Sequence, residues 1–400
     1  MSGVRTHVGS ALAGVRGGGR GWVLVAVASG WFFTLGLRFV VPAFIPQLRA
    51  TFHVSNATAG AVVTVLWLTY AAMQFPAGLL VDRLGARAVL TASLLLSGGA
   101  ILALGVAPGF ALFVVATGAF GLASGLYGTS RGLALARTFR DNQGVAFGAT
   151  LAAGSLGAAS LPVLGTALVD ALGWQGVLAA LAPPFLLVAA LAARFVPAGG
   201  EVERASVRES VGAVRSPVVG LAVVGATLML FVFQGVTAFL PTYLHDVKGL
   251  PQSTAAALYG LLFVCGAGFQ VGMGRAADRF GYPRVLLAIG GVSVLPLLAL
   301  PVAAGLPVLM VVVVGVSLRL AVGPVNNAYV VGALPEATQG TAWGLLRTLF
   351  FAVGSLGSVA VGALADRGYF DGAFYALAAL TAIATAVYYL LLRTTGESAG

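Results

Sequence analysis

Long apolar runs separated by short polar breaks recur along the whole chain. A helix that spans a bilayer needs about 20 mostly apolar residues, and twelve runs approach or exceed that length: 22–45, 59–80, 88–107, 110–135, 144–168, 176–195, 218–240, 255–276, 285–302, 308–331, 342–364 and 372–392. The pattern predicts an all-α membrane protein. The longest polar stretch between runs, 196–217, contains Glu201, Glu203, Arg204, Arg208, Glu209 and Arg215 and divides the runs six and six. The expected layout is an N-terminal tail (1–21), a first six-helix bundle (22–195), a central loop (196–217), a second six-helix bundle (218–392) and a C-terminal tail (393–400).

Twelve spans put both termini on one side, and Lys/Arg residues favour the cytoplasmic loops. With the N-terminus inside, 15 basic residues fall in cytoplasmic segments, among them Arg83, Arg87, Arg137, Arg140, Arg275, Arg279 and Arg284; three, Arg49, Lys248 and Arg367, fall outside. Both termini are therefore expected in the cytoplasm, in a cell (inner) membrane of a prokaryote. The start carries Arg5, Arg16 and Arg20 but no short apolar core with a small-residue cleavage site, so it reads as a tail and not a signal peptide.

Composition narrows the picture. Only 8% of the residues are charged and 59% are hydrophobic, against roughly 25% charged in a soluble domain. The net charge of +10 does not point to nucleic acid, because long apolar runs separate the basic residues instead of gathering them on one surface. The single Cys265 cannot form an internal disulfide, and no metal-ligand spacing is present. No cofactor is expected. No span holds His, Asp or Glu away from its ends, which argues against an intramembrane enzyme.

The halves repeat. Gly78-Leu-Leu-Val-Asp82-Arg83-Leu-Gly85 recurs as Gly274-Arg-Ala-Ala-Asp278-Arg279-Phe-Gly281, 196 residues later. Gln143-Gly144-x-Ala146-x-Gly148 recurs at Gln339 and Leu168-x-Asp170 at Leu364, both at the same offset. The chain resembles the major facilitator superfamily over essentially its whole length. The family signature G-x-x-x-D-R-x-G-R/K-R/K is matched by Gly78, Asp82, Arg83, Gly85 and Arg87, with Ala86 departing from it. The second copy keeps Gly274, Asp278, Arg279 and Gly281 but has Tyr282 and Pro283 in place of the trailing bases.

The resemblance implies twelve transmembrane helices in two pseudo-symmetric six-helix bundles, which alternate access to a central site. It implies that Gly78, Asp82, Arg83, Arg87, Asp278 and Arg279 form a conformational latch. Gly78 would allow close helix approach, and Arg131, near the cytoplasmic end of the fourth span, would pair with Asp82. The antiporter-associated pattern of the fifth span is only partly kept, by Gly157, Pro162 and Gly165.

Four basic residues remain inside spans: Arg38, Arg131, Arg319 and Arg347. An Arg at the bilayer centre costs about 2.5–3.5 kcal/mol, so a lipid-facing position is disfavoured. The resemblance places spans one, four, seven and ten around the cavity, which includes Arg38, Arg131 and Arg319. All twelve carboxylates fall at span ends, in loops or in tails, so none is placed to neutralise Arg38 or Arg319. A guanidinium fork suits carboxylate, phosphate or another oxyanion, and the missing counter-charge points to the cargo.

The expected substrate-binding residues are Arg319, Arg38, Gln234, Asn326 and Arg347. Structural readings stand beside these: backbone bonding for Arg38, a gating role for Arg347, snorkelling for Arg131. Gln234 is Arg38 plus 196 and is taken as its repeat partner. Pro42, Pro241 and Pro324 are expected to kink cavity-lining helices. The expected function is secondary transport of a small anionic solute, with a proton, cation or counter-anion as coupling partner, by a monomer in the lipid bilayer. The alternatives are an efflux antiporter for amphipathic compounds and a non-transporting receptor of the same fold.

Overall fold

The computed structural model describes residues 20–140, 142–198, 216–334 and 339–395, in which every regular element is helical. Most of the two tails and of the central loop lies outside the described residues. The helices are α1 (Arg20–Ala43), α2 (Ile45–Phe52), α3 (Asn56–Gly105), α4 (Phe110–Thr138), α5 (Gln143–Phe195), α6 (Pro217–Asp246), α7 (Gln252–Phe280), α8 (Tyr282–Val302), α9 (Leu306–Ser317), α10 (Val322–Gly332), α11 (Gln339–Asp366) and α12 (Phe370–Thr394). A 3-10 segment, Leu318–Ala321, joins α9 to α10 without a break.

Ten stretches are long and apolar enough to cross a membrane. Two of them, α3 with 50 residues and α5 with 53, are each about twice the needed length. Each contains one residue with non-helical backbone, Gly85 (φ 79°, ψ 156°) and Gly173 (φ 67°, ψ 160°). Only glycine tolerates that region without strain, so the chain reverses there and each long helix supplies two crossings. With those two turns the ten stretches account for the twelve expected spans.

By contact the chain forms two compact units. Among the described residues, one comprises 20–40 and 72–198, the other 41–71 and 216–395. The segment 41–71 therefore packs with the C-terminal helices, although the repeat pattern groups it with the N-terminal ones. Within the second unit, the first part of α3 runs antiparallel to α11. Asp366 caps Asn56 and Ala57, Thr64 donates to the Ser355 carbonyl, Trp67 stacks on Phe351, and Thr348 donates to the Ala71 carbonyl.

Small residues set how closely helices approach. A Cβ on Gly157 of α5 would lie 2.1 Å from the Phe32 carbonyl oxygen of α1, and one on Gly357 of α11 would lie 1.9 Å from that of Phe231 in α6. Without a hydrophobic drive between helices in lipid, such backbone-to-backbone packing is a main source of association.

Candidate functional site

In the first unit, the two candidates Arg38 and Arg131 converge on one ring, joined there by Tyr127. Trp31 of α1 is buried, at 7% exposure. The Arg131 guanidinium carbon lies 4.0 Å from its centroid and that of Arg38 lies 5.4 Å away. Tyr127 of α4 stacks on the same indole at 6.1 Å and 13°, and its hydroxyl donates to the Val27 carbonyl at 2.8 Å. A Cβ on Gly30 would sit 2.1 Å from that hydroxyl, so a glycine there makes the bond accessible. Arg38 is buried and donates to the Ser124 carbonyl at 3.3 Å. Arg131, expected beside Asp82, thus packs with Trp31, in the same group as Arg38.

In the second unit, Arg319 sits in the 3-10 segment and is 4% exposed. Pro324 explains part of the local geometry. It has no N–H to give the Leu320 carbonyl four residues earlier, and Gln270 of α7 donates to that carbonyl at 3.3 Å instead. Short 3-10 stretches inside a helix often mark hinges. Arg319 reaches the Met229 carbonyl at 3.5 Å and the Met229 sulfur at 3.9 Å, both long contacts. One terminal nitrogen, Nη1, is buried with no hydrogen-bond partner.

Two further candidates share that condition. Gln234 is fully buried, and neither side-chain polar atom has a partner; its backbone carbonyl also accepts from the Ser358 hydroxyl at 3.2 Å. Asn326 of α10 is buried with an unpartnered Oδ1. Buried polar groups are nearly always hydrogen-bonded, so unpartnered ones are where a ligand or water has most to offer. Arg347 of α11 belongs to a different set: it donates to the Tyr70 hydroxyl at 3.3 Å and lies over the Phe351 ring at 5.5 Å.

The signature residues adopt mostly surface positions. Arg83, Asp278 and Arg279 are exposed and Asp82 is half-buried. Asp278 accepts from the Tyr282 hydroxyl at 2.9 Å, Arg279 lies over Phe280, and Arg87 donates to the Val196 carbonyl at the end of α5. The expectation for Gly78 needs correction. A Cβ there would meet nothing within 4 Å, and the same holds at Gly274. The glycines with a structural task are the later pair, Gly85 and Gly281, both at positive φ, 79° and 90°.

The repeat partnership of Arg38 also changes. The closest helix contacts pair Phe32 with Gly157 and Phe231 with Gly357, offsets of 199 and 200, and Gly154-Ser-Leu-Gly157 recurs as Gly354-Ser-Leu-Gly357. By packing, the position equivalent to Arg38 is Thr237, not Gln234. The sequence reading also missed Phe351 and Trp67, although Trp343, Arg347 and Phe351, spaced by four, form a detectable helical stripe.

Comparison with known proteins accords with this architecture. The description of the Major Facilitator Superfamily matches residues 26–358 and 263–399. The multidrug resistance protein MdtG of Citrobacter koseri is 27% identical over 281 residues, 68% of either chain, and MdtG of Escherichia coli is 26% identical over the same share. Among solved structures, an inward-facing bacterial homologue of the human lysosomal transporter Spinster superposes with a TM-score of 0.79 at 16% identity, covering 94% of this chain and 98% of that one. The nucleoside transporter NupG gives 0.80 at 12%, covering 92% and 99%. With its long apolar helices, its duplicated signature and a family match over nearly its full length, the chain belongs to the Major Facilitator Superfamily of membrane transporters.

Proposed function

We propose that this protein is a secondary transporter that carries a small anionic solute across the cell membrane by alternating access, with both termini in the cytoplasm. The observation that carries the reading is Arg319: buried, held by two long contacts to Met229, and left with an unpartnered Nη1. Removing a guanidinium from water is expensive unless an opposite charge or several strong acceptors replace the solvent. Arg49 forms an ion pair with Asp246 at 2.8 Å, at half-exposed positions. An anionic cargo would supply the partner that the helices around Arg319 do not.

A second reading, efflux of amphipathic compounds, is favoured by the similarity to proteins named for multidrug resistance. One experiment separates the two. Proteoliposomes are loaded in turn with nitrate, phosphate esters, monocarboxylates, dicarboxylates and a lipophilic cation, with and without proton and sodium gradients. Anion flux that Arg319→Ala removes supports the first reading; flux of the cation alone, unchanged by Arg319→Ala, supports the second.

A further inference from the structure

Residues 41–71 belong to the first repeat by sequence, yet their contacts reach helices of the second. In α2, Arg49 pairs with Asp246 at the end of α6 at 2.8 Å, and the Gln47 amide donates to Gln252 Oε1 at the start of α7 at 2.6 Å. In α3, Thr64 donates to the Ser355 carbonyl of α11 at 2.9 Å, and the two backbones nearly touch. A Cβ on Gly60 would lie 2.6 Å from the Ser358 carbonyl oxygen, and one on Gly362 2.4 Å from that of Asn56. These contacts run inward from the bundle end that the Lys/Arg bias assigns to the outside. When two repeats rock against each other, a contact of this kind forms on the closed side and breaks on the open one.

Asp366 differs from the other members of this contact. It is the last residue of α11, two beyond the apolar run 342–364, where the helix dipole is negative and a carboxylate is disfavoured. The start of α3 offsets this. The carboxylate accepts from the N–H groups of Asn56 and Ala57 at 2.7 and 2.8 Å, donors that have no partner inside their own helix. Partial burial works against the charge, but the bonds from Ala57, Ser55 and Asn56 outweigh it and hold the carboxyl below the usual carboxylate range. With α3 withdrawn, the same carboxyl would face only the negative end of α11, which favours the protonated form.

The charge of Asp366 therefore stabilises the closed contact more than the open one, and by linkage a proton binds the open form more tightly. Above the range in which the carboxyl titrates, the closed contact keeps its full stabilisation; as pH falls through that range, the stabilisation is lost. Other charged or titratable groups at this end are Arg367 on the following turn, Asp371 at the start of α12, whose Oδ1 accepts from the Tyr243 hydroxyl, His53 at the end of α2, and His245, bonded through Nδ1 to the Leu250 carbonyl. The Arg49–Asp246 pair is half-exposed and contributes little by itself.

We propose that residues 41–71 gate the outer mouth of the transporter and that Asp366 is the proton-sensitive latch of that gate: protonation releases the start of α3 and favours the open form. The proton binds as the gate opens and leaves to the same side as it closes. The latch thus sets how readily the protein opens in acid and adds no proton to the transport stoichiometry. The inference rests on the alternating-access reading above and is independent of the charge of the cargo.

The test is hydrogen–deuterium exchange of the full chain in nanodiscs, read by mass spectrometry over residues 54–66 and corrected for the intrinsic pH dependence of amide exchange. Between neutral pH and about pH 4, across the carboxylate range, the start of α3 should exchange roughly two- to fivefold faster, the effect of one charge at a helix terminus, while α4 stays unchanged. Asp366→Asn should exchange at the fast rate at both pH values, and Asp366→Glu should keep a pH response. His53→Asn and His245→Gln should leave the response as it is. A rate indifferent to pH, an acceleration shared by α4, a response that survives Asp366→Asn, or one abolished by either histidine variant overturns the latch. No solute enters this measurement, so such a failure leaves the anionic reading standing; that reading fails instead if anion flux is absent or indifferent to Arg319→Ala.

Discussion

The carboxylate of Asp366, at the last residue of α11, accepts from the backbone N–H groups of Asn56 at 2.7 Å and Ala57 at 2.8 Å, at the start of α3 and 310 residues away from Asn56 along the chain. The first turn of a helix has N–H groups without intrahelical partners and a partial positive charge, so one side chain satisfies two donors and the dipole together. Asp366→Asn keeps an oxygen but loses the charge and is expected to destabilise the α3–α11 contact by about 0.5–1 kcal/mol, read as a lowered Tm in detergent. Its repeat partner Asp170 is exposed, and Asp170→Asn should leave Tm unchanged. Equal shifts in the two variants would remove the cap from the explanation.

Arg319→Ala should abolish transport while the protein still inserts and purifies as a monodisperse species. Arg319→Lys keeps the charge but not the planar fork, and a partial rate is expected from it. The measurement is initial uptake in proteoliposomes normalised to inserted protein. A wild-type rate in Arg319→Ala would dismiss Arg319 as the cargo contact.

Arg131 was expected to act with Asp82, and the structure pairs it with Trp31 at 4.0 Å. A double-mutant cycle for thermal stability using Arg131→Gln and Trp31→Leu should return a coupling of about 0.5–2 kcal/mol, the range of cation–π contacts from exposed to desolvated. Separately, Asp82→Asn is expected to slow cycling more than it weakens substrate binding, so a change in affinity with an unaltered turnover would count against a latch.

Gly357→Ala places a methyl group where the Phe231 carbonyl oxygen now lies 1.9 Å from the new atom. The helices α6 and α11 must part to admit it, with an expected loss of about 1–3 kcal/mol, as for overpacked cores. Gly344→Ala, on the same helix with open space around it, is the control. Thermal unfolding followed by circular dichroism separates the two.

Several readings from sequence depended on quantities that are local or statistical. Span length is fixed by bilayer thickness and rise per residue, so the runs could be counted without coordinates. The breaks around Gly85 and Gly281 were legible as gaps between apolar runs, but the positive φ that gives those two glycines their task came only with the backbone. Gly78, in the same signature, was misread: whether a glycine brings helices together depends on what lies across from it, and nothing does.

The candidate arginines were found for the same local reason, as charges inside apolar runs. Their partners were not. That Arg131 lies over Trp31 depends on how one helix is rotated against its neighbour, which spacing along the chain does not give. Gln234 looked equivalent to Arg38 at the offset of the loop motifs, but the close contacts pair Phe32 with Gly157 and Phe231 with Gly357, which sets the offset between the packed helices α1 and α6 at 199.

By itself, then, the amino-acid sequence determined the solvent this chain folds in, the number of its crossings, its internal duplication and the few charges that must be accounted for inside the membrane. These follow from transfer free energies, which each segment meets alone. Only the tertiary structure decided which ring Arg131 and Arg38 share, that Arg319 sits at a 3-10 break with a nitrogen unpartnered, and that the first part of α3 packs antiparallel to α11. Those outcomes depend on how helices distant in sequence meet, and in lipid that meeting is settled by small residues and hydrogen bonds whose partners no local pattern names.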